Sequence, residues 1–271
     1  MSYTFRPGMR YRMPTHFGPF PGPRQIPAGK PNDPTRSPRC RLATATALTE
    51  REALEKLLPP GFTLDGEPTL SIAFEEITEI DWLAGRGYNT FGVRCPVLYA
   101  GKREQVHGNL LFVLWENLAD PIISGREELG FNKIYCELPE PTVLAGDYRY
   151  RAGWLGHQFF EMSLSGLTEQ PAPSTAPRPS LHYKYFPKTG APGEADAAYV
   201  TMTPTASPNT TIEKRIAGNV KFSFRESTWE QLPTLYHIVN AFAALPLLEF
   251  RGGAVTWTRG GKDLSDQRIV E

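Results

Sequence analysis

Cysteine is scarce in this 271-residue sequence, and no apolar run is long. The three cysteines, Cys40, Cys95 and Cys136, are odd in number and widely spaced, which argues against a disulfide framework and a zinc site. The longest apolar runs, such as 109–115, have the length of a strand, so we expect no transmembrane helix. The opening residues lack the apolar core of a signal peptide, and we therefore predict a cytoplasmic protein.

The sequence also lacks an excess of charge of either sign. Its 29 basic residues balance 29 acidic ones, so no electrostatic field favours nucleic acid as a partner. The phosphate-binding loop, the dinucleotide fingerprint, the nucleophile elbow and the zinc-protease motif are all absent. The five histidines have no ligand spacing, so we expect neither a metal nor an organic cofactor.

Proline is concentrated at the N-terminus. Residues 1–40 contain nine prolines, seven lysines or arginines and one acid, a composition that prevents helix and central strand. We predict an extended arm over residues 1–40 that packs on its own domain or on a neighbouring subunit. Its expected anchors are aromatic: Tyr3, Phe5, Tyr11, Phe17 and Phe20. Residues 41–271 are predicted to form one domain.

The rest of the chain is patterned mainly as strands. β-Branched and aromatic residues fill 69–80, 89–99 and 106–117, and turn residues separate these segments. Thr49 and Glu52 form a capping-box pattern that predicts a short helix, and the longest helix is expected over 233–245. The sequence therefore predicts an α+β, mostly β fold, built as an antiparallel β-barrel or paired sheets with a few helices.

Lys133 is the candidate for chemistry. It is the only lysine between 103 and 183. Alternation along a strand places four side chains on one face: Phe131, Lys133, Tyr135 and Glu137. A lysine between aromatic side chains can lose its hydration, which favours the neutral amine that attacks a carbonyl. The alternative is an ordinary strand lysine with its stem on its neighbours and its ammonium group in water.

The segment around this lysine resembles the active-site signature of acetoacetate decarboxylases. There, Gly-Arg-Glu is followed by an aromatic residue, a proline and two lysines, of which the first forms the Schiff base. Residues 125–127 and 131–133 follow this spacing, with Lys133 in the first lysine's place. Asn132 replaces the proline and Ile134 the second lysine. Acetoacetate decarboxylase is itself a standard example of a lysine activated by desolvation or by a neighbouring cation, and only desolvation is left here.

The same resemblance, which runs at low identity from about residue 40 to 258, implies further site residues. It places a catalytic carboxylate at Glu75. The adjacent Glu76 must face the other way on a strand, so at most one of the two points inward. A second family carboxylate falls near Thr90, where no acid is present.

Residues for substrate binding are implied in the same way. The family's arginine for the substrate carboxylate falls near Arg39 or Arg41, on either side of Cys40. Phe131 and Tyr135, beside Lys133 in the alternating segment, are expected to line the pocket.

These features predict a Schiff-base-forming lyase that acts on a small oxo acid through Lys133. The family resemblance and the proline-rich arm further predict a homo-oligomer. One alternative is an aldolase-dehydratase that joins a pyruvate-like oxo acid to an aldehyde; another is a non-catalytic barrel that binds a small molecule. Lys188 is the rival nucleophile, but it lies at a predicted hairpin tip, where water keeps an amine protonated.

Overall fold

The computed structural model describes residues 4–173 and 177–271, so the predicted anchor Tyr3 lies outside it. Strands account for 46% of the residues and helices for 11%, which confirms a mostly β fold. The strands are β1 (Arg39–Leu48), β2 (Phe62–Leu64), β3 (Thr69–Thr78), β4 (Tyr88–Ala100), β5 (Gln105–Glu116), β6 (Lys133–Tyr135), β7 (Thr142–Leu144), β8 (Asp147–Trp154), β9 (His157–Glu169), β10 (Ser180–Pro187), β11 (Ala195–Thr203), β12 (Thr211–Phe224), β13 (Glu249–Arg259) and β14 (Arg268–Ile269). The helices are α1 (Arg51–Glu55), α2 (Ala119–Ser124) and α3 (Tyr236–Ala243), with short helical turns at Thr15–Phe17, Asp81–Leu83 and Gly125–Leu129.

Within the described residues, fourteen strands form one sheet. Its order is β14-β11-β10-β5-β4-β3-β1-β13-β12-β9-β8-β7, with β2 beside β4 and β6 beside β5. Most neighbours are antiparallel, as predicted, but β5 pairs in parallel with both β10 and β6. The sheet is therefore mixed, and it does not close into a barrel.

The sheet curls around an aromatic core. Phe74 on β3 and Phe160 on β9 have ring centroids 5.7 Å apart, although three strands separate them in the sheet. Phe91 stacks between Phe74, at 4.5 Å, and Trp115, at 4.9 Å. These rings are buried, and their packing fixes how the ends of β3, β4 and β5 lie relative to one another.

The helices are shorter than the sequence predicts. The capping box does not form: α1 starts after Glu50, and the buried Thr49 hydroxyl has no hydrogen-bond partner among the described residues. The longest helix, α3, covers the middle of the predicted segment. Of the helices in 4–173 and 177–271, none has the length and apolar content needed to cross a bilayer.

The described part of the N-terminal arm is held by charge more than by its aromatic residues. Phe5 and Phe17 are 61% and 82% exposed. Arg12 is buried instead, with its guanidinium 3.9 Å from the centroid of the Phe20 ring. The contacts of Phe20 with Arg12 and of Phe5 with Tyr11 lie within the arm, so anchoring of the arm to the domain by its aromatic residues stays a prediction.

Candidate active site

Lys133 enters the site directly after a tight change of direction. Helix α2 widens into a single π-type turn at Gly125–Leu129, and Gly130 ends it in the left-handed region with φ 83°. Strand β6 then begins at Lys133, opposite Leu114 of β5. The Lys133 carbonyl accepts a hydrogen bond of 2.8 Å from Arg126, which fixes the backbone at this position.

The amine of Lys133 is buried beside a carboxylate. Its Nζ lies 2.8 Å from Glu116 Oε1 and donates to the Pro121 carbonyl at 3.0 Å. Burial raises the pKa of the Glu116 carboxyl above its usual value, although the charge of Lys133 opposes this shift. The other oxygen, Glu116 Oε2, is buried and has no hydrogen-bond partner in the described part of the chain. A proton can therefore pass between the amine and the carboxylate without entering water.

Three neighbouring strands bring a polar row to the same site. In register, Glu75 on β3 lies opposite Thr90 on β4, and Thr90 lies opposite Glu116 on β5. Glu116 was not identified from the sequence, which leaves the second carboxylate position near Thr90 empty. The structure supplies an acid one strand further on. The sequence does carry one sign of Glu116: it is a single acid directly after the apolar run of β5.

Gly125 makes room for the lysine. A Cβ atom at this position would lie 2.5 Å from Cδ and Cε and 2.6 Å from Nζ of Lys133. Such distances are shorter than any normal contact, so the lysine side chain occupies the space that a larger residue would take.

These groups line one cavity of about 330 Å³. Three of the predicted residues lie there together: Lys133, Glu75 and Phe131. The Phe131 ring is 5.3 Å from Lys133 Nζ and stacks on His182 at a centroid distance of 3.9 Å. His182 is fully buried, and its burial lowers its pKa to about 3, so it adds no positive charge behind Phe131 near neutral pH.

The remaining predicted residues do not line this cavity. Arg39 is half-exposed and pairs with Glu79 and Glu213. Arg41 binds Glu76. Glu76 neighbours Glu75 on β3, so its side chain lies on the opposite face of the strand, away from the cavity.

Tyr135 is the last residue of β6 and is 48% exposed. The alternation that was expected to bury it beside Lys133 therefore does not reach it.

The cavity arginine comes from the arm, at Arg24. Its Nε donates to Glu128 Oε2 at 2.7 Å, and NH1 donates to the Asp263 carbonyl at 3.3 Å. NH2 is buried and has no partner among the described residues. No pattern in the sequence singles out Arg24, because it is one of several basic residues in a proline-rich stretch.

A model of the acetoacetate decarboxylase family matches residues 12–259, most of the chain. This chain belongs to the acetoacetate decarboxylase family. It is thus related to enzymes, and the resemblance of the 125–133 segment reflects real membership. A comparison with the curated proteins finds no match.

Solved structures share the acetoacetate decarboxylase-like fold. An acetoacetate decarboxylase from Legionella pneumophila has 17% identity and a TM-score of 0.65, with 93% of this chain and 92% of that chain covered. Another acetoacetate decarboxylase has 14% identity and a TM-score of 0.67, covering 89% and 91%. The enduracididine biosynthesis enzyme MppR, complexed with the condensation product of pyruvate and imidazole 4-carboxaldehyde, has 16% identity and a TM-score of 0.62, covering 86% and 87%.

One departure from the family signature and the rival lysine can now be located. Ile134, at the place of the second lysine, faces away from Lys133 and lines a separate apolar cavity with Phe112 and Phe242. The rival Lys188 is half-exposed and pairs with Glu194 at 2.7 Å, outside the cavity.

Proposed function

We propose that this protein is a lyase that forms an imine between Lys133 and a small oxo acid. The observation that carries the proposal is the buried amine, 2.8 Å from the Glu116 carboxylate, at the wall of a cavity of about 330 Å³. Burial raises the pKa of the Glu116 carboxyl, so a proton acceptor stands directly beside the amine.

The imine forms in steps that the residues can serve. Glu116 takes a proton from Lys133, and the neutral amine attacks the oxo carbon. The carbonyl oxygen then leaves as water after proton transfer, for which Glu75 supplies a second carboxylate on the same cavity. The lysine nitrogen keeps a positive charge in the protonated imine, which draws electrons from the neighbouring carbon.

Arg24 is the group we propose for the substrate carboxylate. Its buried NH2 retains an unused donor, and an arginine donor to a carboxylate forms a strong charge-assisted hydrogen bond. This replaces the earlier expectation for Arg39 or Arg41, both of which are engaged elsewhere.

Two reactions can follow from the same imine. A 3-oxo acid can lose carbon dioxide, with the electron pair of the broken bond passing to the imine. A 2-oxo acid can instead lose a proton to form an enamine, which attacks an aldehyde. The likeness to MppR, solved with a condensation product of pyruvate, supports the second reaction as an alternative.

Borohydride trapping tests the proposal. The protein is incubated with acetoacetate, with pyruvate, or with pyruvate and an aldehyde, and the reduced adduct is measured by intact mass. We expect an adduct that Lys133→Ala abolishes and the control Lys188→Ala retains. Carbon dioxide release from acetoacetate is measured in parallel, and we expect it to be slow. An adduct on Lys188 would refute the assignment, and no adduct with any acid would favour a non-catalytic binding protein. A cytoplasmic location and a homo-oligomeric state remain predictions.

A further inference from the structure

The cavity changes character along the strands that build it. The polar row of Glu75, Thr90 and Glu116 lies at one level. Ile77 lies two residues after Glu75 on β3, and Tyr88 lies two residues before Thr90 on β4. Ile77 and Tyr88 are cross-strand partners, and both line the cavity. Successive residues on one face of a strand are about 7 Å apart. An outer row of Ile77 and Tyr88 therefore begins about 7 Å from the carboxylates.

Beyond the outer row, two apolar side chains line the cavity on either side of Asp81. Ile80 is buried and Trp82 is half-buried, and both line the cavity from the turn that joins β3 to β4. Burial raises the pKa of the Tyr88 phenol well above its usual value, so this ring stays uncharged. We call Ile77, Tyr88, Ile80 and Trp82 the outer wall.

Other charged groups that line the cavity are already engaged. Lys262 binds Asp266 at 2.7 Å, and Asp81 accepts the Asp33 N–H at 3.0 Å. Asp263 accepts from the Ser265 hydroxyl at 2.6 Å. Among the described lining residues, Arg24 keeps one nitrogen without a partner, which we propose for the carboxylate of the oxo acid, and Lys133 is the amine that forms the imine. With that donor occupied, a second carboxylate on the substrate would meet no further unpaired cation among the described lining residues.

The cavity is larger than the smallest oxo acids need. At about 30 Å³ for each non-hydrogen atom, as in liquid water, 330 Å³ holds about eleven such atoms, and pyruvate has about half that number. The unused part corresponds to an uncharged substituent of about five non-hydrogen atoms.

We propose that the outer wall selects a substrate with an uncharged, apolar or aromatic group on the carbon next to the imine. The inference rests on the proposed function of Lys133 and names the class of molecule that this site accepts. The group can arrive in two ways: as the side chain of a longer 2-oxo acid, or as an apolar aldehyde that reacts with the pyruvate enamine.

The test compares ligands that differ in their tail. Pyruvate, 4-methyl-2-oxopentanoate and 2-oxoglutarate are titrated against the full chain, and the concentration that gives half-maximal borohydride adduct is measured. Because a buried branched tail gains the transfer free energy of several carbons, we expect 4-methyl-2-oxopentanoate to need about tenfold less than pyruvate. The charged tail of 2-oxoglutarate should give no gain over pyruvate. Equal values for the three acids would overturn the inference while leaving the imine intact.

Variants of the outer wall test whether these residues cause the preference for the branched acid. Trp82→Ala should raise the half-maximal concentration of 4-methyl-2-oxopentanoate about tenfold and that of pyruvate by less than about threefold. Ile77→Thr keeps a β-branched residue on β3 and should also reduce the preference, which covers the case of a poorly folded Trp82 variant. The control is Trp229→Ala, because Trp229 is 63% exposed and lies outside the cavity. A preference that survives both cavity variants would contradict the assignment.

A further experiment distinguishes the two sources of the apolar group. Pyruvate is supplied with 3-methylbutanal; the enamine carbon bonds to the aldehyde carbon, whose oxygen is protonated to a hydroxyl. Loss of a proton from the former enamine carbon then forms a double bond as the hydroxyl, protonated in turn, leaves as water. A trapped mass of the joined product assigns the outer wall to the aldehyde, and a preference for the longer acid alone assigns it to a single substrate. Calorimetric binding of the three acids measures the preference without borohydride trapping. If no acid is trapped but the branched acid still binds more tightly, the proposed function fails and this inference stands.

Discussion

At the scale of single residues, the position of the amine depends on its neighbours as much as on the lysine itself. Glu116 and the Pro121 carbonyl hold Nζ from two sides, and Gly125 leaves the space that the side chain fills. A buried charged pair is costly when one partner is removed or moved, because the other charge then stays buried without compensation. Small changes here should therefore have large effects on the imine.

Gly125→Ala is the first such change. The added methyl would overlap the end of the Lys133 side chain, so Nζ must leave Glu116, and we expect the rate of adduct formation to fall roughly 100-fold. The measurement is the borohydride-trapping rate, with thermal unfolding recorded alongside. Gly261→Ala is the matched control, since it adds the same methyl to the cavity wall, 3.3 Å from Pro38. Equal rates in both variants would mean that Gly125 has no special role.

His182 gives a prediction about pH. Its pKa falls from 6.5 to about 3 on burial, so the unfolded chain binds a proton there that the folded chain does not. The stabilising contribution is present above about pH 6.5 and is lost as the pH falls toward 3. Between pH 7 and pH 5, wild type should lose about 2 kcal/mol of unfolding free energy that His182→Gln does not lose.

Chemical denaturation at the two pH values measures this difference. His237→Gln is the control, because His237 is exposed on α3, and it should show the same loss as wild type. If His182→Gln and wild type lose stability in parallel, another group is responsible.

At the scale of elements, strand register determines which side chains share the cavity, so an acid on a different strand can reach the same site. Thr90 and Glu116 are direct cross-strand partners on β4 and β5. A carboxylate on β5 can therefore reach the same cavity as one on β4. The lack of an acid near Thr90 does not leave the cavity without a second carboxylate, because Glu116 supplies it.

Exchanging the two residues tests this. Glu116→Thr alone should lower the rate of adduct formation roughly 100-fold, because the lysine loses its proton acceptor. Adding Thr90→Glu to this variant should recover about tenfold, since the carboxylate returns one strand away. The trapping rate at pH 7 is the readout, and Thr90→Gln in place of Thr90→Glu is the control without charge. No recovery would show that the acid must lie on β5.

The sequence allowed the strands to be predicted well, and the site only in part. Alternation and turn residues located β3, β4 and β5, because these signals are local. Lys133 and Glu75 were found through the family signature and through alternation. Glu116 was missed because only the register of β4 and β5 reveals that it faces the same cavity as Glu75, and register is a long-range property.

At the scale of the whole molecule, one carboxylate fastens the arm to the domain. Glu128, in the turn just before Lys133, lies 2.7 Å from Arg24 Nε, 3.0 Å from Arg12 Nε and 3.6 Å from an Arg10 nitrogen. Composition gave no means of choosing among the arm's basic residues, because the choice depends on where the arm crosses the domain. Arg24 could therefore not be recognised from the sequence.

Glu128→Gln should loosen the arm. Without the shared charge the three arginines repel one another, so we expect trypsin to cut after Arg12 and Arg24 several times faster than in wild type. Timed digestion followed by mass spectrometry measures this. Glu213→Gln is the control, since Glu213 pairs with Arg39 and Arg259 at the surface. Equal cleavage in both variants would mean that the arm is held by other contacts.

The hydrogen bond from Arg24 to the Asp263 carbonyl joins residues that are 239 positions apart. Contacts between distant parts of a chain carry a large loop-closure cost and tend to form slowly. The local hairpins can therefore assemble while the cavity is still unfinished. A refolding chain would regain its strand content first and its capacity to hold an oxo acid afterwards, so a ligand would act on the last stage of folding and leave the early stages unchanged.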